Sequence, residues 1–153
     1  MQVFIDNLPT ILAITGIALA VVLTGVGSAR GGAMISKAAA ALISEQPEKF
    51  GKSLILFMMH ASQGLYGFII GFLIFFNLGP DLTMWEALRF LGSGAIMGFA
   101  GLHSCIGQST AATAGIQILA KKPEHSTKGV LYAAMIETYA IFAFVVAMLI
   151  IFI

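Results

Sequence analysis

Four long apolar stretches, covering roughly 8–43, 53–78, 84–119 and 129–153, account for most of this chain. A helix needs about 20 apolar residues to cross a bilayer, so each stretch suffices for one span. Helices also satisfy their own backbone hydrogen bonds, which lipid cannot do for them. The polar breaks between the stretches are short and each contains a proline, Pro47, Pro80 or Pro123, a residue that resists helix continuation. An all-α membrane protein with four transmembrane helices joined by tight connections is therefore expected. Composition agrees: 59% of residues are hydrophobic and 10% charged, whereas a soluble domain has about a quarter of its residues charged. A net charge of +1 gives no field that would recruit nucleic acid. Cys105 is the single cysteine, so it makes neither an internal disulfide nor a zinc site, and it reads as a buried thiol. The first stretch has no basic residue before it and runs past signal-peptide length, which predicts a retained helix.

The chain also repeats itself. A shift of 76 positions carries Pro47 onto Pro123, Glu48 onto Glu124, Lys52 onto Lys128, Gly25 onto Gly101, Ser28 onto Ser104 and Phe68 onto Phe144. The unit is one helical hairpin present twice in tandem, in the same orientation. We expect a single membrane domain over 1–153, with repeats of about 8–78 and 84–153. The copies differ at one telling place, where Glu137 of the second faces Ala61 of the first. Lys49, Lys52, Lys121, Lys122 and Lys128 flank the first and third breaks, against Arg89 near the second, so the loops at Pro47 and Pro123 are expected on the cytoplasmic side and both termini opposite. Trp85 suits an interface anchor on that opposite side. Glycines crowd the first and third spans. Gly27 with Gly31, and Gly94 with Gly98, stack on one helix face and allow close approach, either within one molecule or between molecules. The phenylalanines of the second span, with Tyr139, Phe142 and Phe144 of the fourth, suggest an outer layer around an inner pair of helices.

Glu137 stands among Ala133, Ala134, Met135, Ile136, Tyr139, Ala140 and Ile141, with no basic residue near it in its helix. An ionised carboxylate at a helix centre is unfavourable by about 2.5–3.5 kcal/mol on insertion scales, so it must be protonated, paired or bound to a cation. Depth adds partners. Glu137 lies 14 residues after Pro123 and Gln108 lies 15 before it, while Ser62 and Gln63 lie 15 and 16 after Pro47. At 1.5 Å rise per residue, all four sit about 21–24 Å from the loops. Three helices thus bring oxygen to one level, as a small hard cation requires. A single negative charge matches a monovalent ion, which favours Na+ over a divalent cation. Tyr66, three residues beyond Gln63, shares its helix face and can donate to the carboxylate. The glutamines could instead bond only to each other. His60, at the same level, either packs on a neighbouring helix or tunes Glu137, and His103 is a weaker case of the same kind. Arg30 and Lys37 suit snorkelling or a lumen, whereas Asp6, Asp81 and Glu86 belong to the far surface with no specific role.

These features together resemble the proteolipid subunit of V-type rotary ATPases: the doubled hairpin, the Pro47-Glu48 and Pro123-Glu124 loops, and Met135-Ile136-Glu137-Thr138-Tyr139-Ala140. The resemblance covers essentially the whole chain. The runs Ser62-Gln63-Gly64-Leu65-Tyr66-Gly67 and Gly115-Ile116-Gln117-Ile118-Leu119-Ala120-Lys121-Lys122-Pro123-Glu124 are similar to those of the bacterial sodium-translocating members. It implies a rotor ring of identical subunits in the cell membrane, turning against a membrane stator and joined by central-stalk subunits to a soluble ATPase sector. It also implies that Glu137 is the ion carboxylate, that Gln63, Gln108, Ser62 and the Met59 carbonyl are ligands, and that Tyr66 gates the site. Serine at 62 and methionine at 59 depart from the threonine and leucine of the sodium pattern, and each keeps its oxygen. An emptied Glu137 would need stator water or, on the resemblance, a stator arginine. The chain has no Gly-x-x-x-x-Gly-Lys-Ser/Thr loop for ATP. Two other readings remain open here: a proton-carrying ring that needs only a protonated Glu137, and a small cation antiporter or channel.

Overall fold

A computed structural model describes residues 2–153, with side chains from Ile5 onward. The first span is one helix, α1 (Gln2–Glu45). The second consists of α2 (Phe50–Met58) and α3 (Ser62–Phe76), joined through a 3-10 turn at Met59–Ala61. The third span is α4 (Met84–Lys121) and the fourth is α5 (Ser126–Phe152). Among the described residues, the four stretches long and apolar enough to cross a membrane are Ile5–Glu45, Pro47–Phe76, Met84–Lys121 and Pro123–Phe152. Two of the prolines act differently from the expectation. Pro47 and Pro123 each open a 3-10 turn that feeds directly into the next helix, because the first helical position needs no N–H and suits the fixed φ of proline. The spans are therefore longer than the apolar runs. At 44 residues, α1 measures about 66 Å, roughly twice the hydrocarbon thickness of a bilayer.

The start of α4 corrects a second expectation. Glu86 does have a specific role, because its carboxylate accepts the Thr83 backbone N–H at 2.8 Å while the Thr83 hydroxyl accepts the Glu86 N–H at 3.2 Å. This reciprocal capping box satisfies donors that the first turn leaves unpaired.

The small residues determine how the helices pack. A Cβ placed on Gly94 would lie 1.9 Å from the Gly16 carbonyl oxygen, and one on Gly98 would lie 2.4 Å from that of Leu19. Backbone thus meets backbone along α1 and α4, and the glycine seam lies inside one molecule. Gly27 and Gly31 continue it against Leu102 and Ser109 of α4. Two apolar clusters fill the rest of the interior. One holds Ala20, Ile70, Ile74, Phe90 and Met97, and the other Ile35, Leu42, Leu56, Ala112, Ile116, Leu119 and Ala133. Along the helices, a polar level separates them, in which Gln63, Ser104, Gln108 and Ser109 are buried. Phe68, Phe72, Phe75 and Phe76 of α3 are exposed, as is Trp85. Arg30 and Lys37 lie exposed on α1.

Candidate ion-binding site

The site begins with a broken helix. In an unbroken second span, the Gly64 N–H would donate to the His60 carbonyl four residues back. Here Ser28 of α1 inserts its hydroxyl between them, donating to the His60 carbonyl oxygen at 2.9 Å and accepting the Gly64 N–H at 3.1 Å. The Cys105 thiol of α4 donates to the same carbonyl at 3.2 Å. A side chain inserted into the helical ladder is a recognised cause of a kink, and short 3-10 segments within helices often mark functional positions. Gly64 makes room, since a Cβ there would lie 2.8 Å from the Ser28 hydroxyl. The second repeat provides an internal control. Ser104 donates to the Ile136 carbonyl at 3.0 Å, the contact of Ser28 moved by 76 positions, but Ala140 stands where the first repeat has Gly64. There the alanine methyl would fill the space that Gly64 leaves open, and α5 runs unbroken from Ser126 to Phe152.

The residues singled out from sequence fall into one network beyond this break. The Ser62 hydroxyl lies 3.3 Å from both the Met59 carbonyl oxygen and Gln63 Oε1. Gln63 is fully buried, and its Nε2 donates to Gln108 Oε1 at 2.6 Å. Gln108 Nε2 donates to Glu137 Oε2 at 3.1 Å, and the Tyr66 hydroxyl donates to Glu137 Oε1 at 2.9 Å. The Tyr66 ring rests on Phe144 with centroids 5.2 Å apart. The two glutamines therefore do bond to each other, and the chain of bonds continues to the acid. Among the described residues, no lysine or arginine lies within ion-pairing distance of Glu137. Hydrogen bonds reach both of its oxygens, but its negative charge has no partner among them.

His60 is directed elsewhere. Its Nδ1–H donates to the Phe57 carbonyl, and its ring packs edge-on against Phe57 and over the backbone of Gly32. It contributes its carbonyl to the break and its imidazole to the α1 contact. His103 is exposed and bonded to Phe99 of its own helix at 2.9 Å. Sequence reasoning missed Ser28, Gly64 and Cys105 as parts of the site, although the pairing of Ser28 with Ser104 across the repeat was a visible signal. Among the described residues, no three of His, Cys, Asp or Glu gather as metal ligands. The oxygens available at this level belong to a carboxylate, amides, a hydroxyl and a backbone carbonyl, a set that suits hard cations rather than transition metals.

A doubled helical hairpin with one acid at its apolar mid-level defines a multi-pass membrane proteolipid. The chain belongs to the ATP synthase C-subunit family, whose pattern matches residues 15–74 and again residues 91–150. It is 53% identical over 141 residues to the V-type sodium ATPase subunit K of Enterococcus hirae, covering 92% of this chain and 90% of that protein. It is 34% identical to the A-type ATP synthase subunit K of Methanocaldococcus jannaschii, covering 92% of this chain and 62% of that one. To the 16 kDa proteolipid of the human V-type proton ATPase it is 26% identical, covering 90% and 88% respectively.

Proposed function

We propose that this chain is the rotor-ring subunit of a V-type ATP-driven cation pump and that it carries Na+ on Glu137. The observation that supports this most is the network around the acid: donors from α3 and α4 hold both Glu137 oxygens, and the oxygens of Ser62, Gln63, Gln108 and Met59 lie within one connected set of bonds. A proton carrier needs none of these amides. The sodium relative, at 53% identity, is also more similar to this chain than the human proton relative, at 26%.

In this reading the bound ion cancels the carboxylate's charge. The loaded site crosses lipid, and the emptied one stays with the stator, because a bare charge there is unfavourable by several kcal/mol. Gln108 presents its oxygen to the ion when its terminal amide and that of Gln63 turn together, so that Gln108 Nε2 donates to Gln63 Oε1 in place of the present bond from Gln63 Nε2; these terminal torsions have a broad two-fold profile. Tyr66 latches the acid from the side. The chain itself performs no catalysis. Moving each ion against 100 mV requires about 2.3 kcal/mol, supplied by ATP hydrolysis in a soluble sector. The two repeats, 8–78 and 84–153, form one membrane domain whose Pro47 and Pro123 loops face the cytoplasm and the central stalk. Both termini lie on the opposite side.

Carbodiimide labelling of Glu137 in membranes tests the ion. Added Na+ should slow labelling at constant pH, and Glu137→Gln should abolish both labelling and transport. Labelling that is indifferent to Na+ across a wide range would replace sodium with the proton. Transport by Glu137→Gln at the normal rate would remove the acid from the mechanism altogether.

A further inference from the structure

Short polar side chains within a helix commonly bond a carbonyl of that same helix, one turn back, as Thr24 and Thr110 do here. The Cys105 thiol instead leaves α4 and donates to the His60 carbonyl oxygen on the second span at 3.2 Å, with the Ser28 hydroxyl 3.8 Å from the same sulfur. Two glycines of α1 admit it. A Cβ on Gly27 would lie 3.3 Å from the Cys105 Cβ, and one on Gly31 would lie 3.3 Å from its sulfur. Cys105 is fully buried, so no solvent competes for its proton. The His60 carbonyl thus carries two side-chain donors, one from α1 and one from α4, and it is the carbonyl that an unbroken ladder would give to the Gly64 N–H. Its counterpart in the second repeat, that of Ile136, accepts the Ser104 hydroxyl at 3.0 Å, and the residue that matches Cys105 is Ala29, whose side chain has no donor. There the helix is unbroken.

We propose that Cys105 is a positioning residue for ion binding: its thiol helps to hold the His60 carbonyl out of the helical ladder, and ion occupancy is transmitted to that thiol through the break. The inference rests on the sodium-carrying reading, in which the ion takes up the Met59 carbonyl oxygen. That oxygen lies one peptide before the held carbonyl. The two peptide planes share the His60 Cα, so drawing one carbonyl toward the ion turns the other against its donors. Ser28 holds both halves of the break, the His60 carbonyl and the Gly64 N–H, whereas the thiol, a weak donor, holds the carbonyl half only. Removing the thiol alone therefore leaves both groups bonded to Ser28. With Ser28 also gone, nothing keeps the carbonyl turned out, and closing the helix satisfies carbonyl and N–H at once. Because they share one acceptor, the two donors act as a coupled pair rather than as independent sites.

A double-mutant cycle on the full-length chain tests the positioning, read as the Na+ concentration that half-protects Glu137 from carbodiimide. Cys105→Ala alone should move this midpoint little. Ser28→Ala/Cys105→Ala should exceed the product of the single shifts by at least roughly 2-fold, the lower end of coupling between contacting residues. Ser28→Ala/Cys105→Ser keeps a donor on α4 and should recover most of that excess, whereas a role in packing alone would be lost equally with serine and alanine. Cys105 is the only cysteine of the chain, so the purified protein has one S–H stretch, in an infrared window nearly free of other protein bands, and its frequency follows the strength of the thiol's hydrogen bond. Adding Na+ to the unaltered protein should move this band with the midpoint found by labelling, and Glu137→Gln should abolish the movement. The band needs no substitution at Cys105 or Ser28, so it decides the question even where those variants fail to assemble. Shifts that simply multiply, or a band that stays fixed while Na+ protects Glu137, would overturn the inference and leave the sodium reading standing. Labelling indifferent to Na+ in the unaltered protein would overturn both.

Discussion

Replacing Ser28 with alanine removes a hydroxyl that bonds to none of Ser62, Gln63, Gln108 or Glu137, yet it should weaken ion binding. Two backbone groups depend on that hydroxyl: the His60 carbonyl oxygen at 2.9 Å and the Gly64 N–H at 3.1 Å. The carbonyl keeps the Cys105 thiol as donor at 3.2 Å, so the group left without a partner is the Gly64 N–H. An unsatisfied buried donor is unfavourable by about 1–3 kcal/mol. The chain can relieve it by closing the helix, with Gly64 bonding directly to His60, but closure turns Ser62, Gln63 and Tyr66 away from Glu137. The open, ion-competent geometry then loses population, and apparent affinity falls with the fraction that remains. From 1–3 kcal/mol, the loss reaches at most roughly 5- to 150-fold. The assay is the Na+ concentration that half-protects Glu137 from carbodiimide, compared between Ser28→Ala and Ser104→Ala. Ser104 makes the matching bond in an unbroken helix, so its loss strands no N–H and should shift the midpoint several-fold less. Equal shifts for the two variants, or none for Ser28→Ala in an intact ring, would refute the reasoning.

Tyr66→Phe deletes a hydrogen bond to a charged acceptor, worth about 1.5–3 kcal/mol; carbodiimide should react faster and Na+ protection should weaken by roughly 10- to 150-fold. Gly94→Ala places a methyl 1.9 Å from the Gly16 carbonyl oxygen, and overpacking of this kind destabilises by about 1–3 kcal/mol or more. Gly92→Ala, which meets nothing within 4 Å, should not lower the thermal unfolding temperature in detergent, since alanine is the better helix former. Thr83→Ala should lower stability by about 1 kcal/mol through loss of the cap, with no change in the Na+ midpoint.

The four spans were legible because hydropathy and length alone dictate them in lipid. So was the common level of Ser62, Gln63, Gln108 and Glu137, because a helix converts residue counts into depth. Where the helix breaks was not legible. Met59-His60-Ala61 contains neither glycine nor proline, and the cause lies 32 residues away in Ser28. The role of Gly16 was hidden for a similar reason, since only tertiary packing shows which glycine a carbonyl will touch. The role of Glu86 could have been read from sequence, because Thr83 three residues before it is the ordinary signature of a capping box.

Ala61, standing where the second repeat carries its acid, has a consequence for stoichiometry. A rotor assembled from this chain delivers half as many ions per revolution as one of equal circumference with an acid in every hairpin. In the proposed pump, where a soluble motor sets the nucleotides hydrolysed per turn, the work available to each ion would be doubled, and such a machine would trade throughput for the steepness of the gradient it can build, much as a low gear trades speed for climbing power.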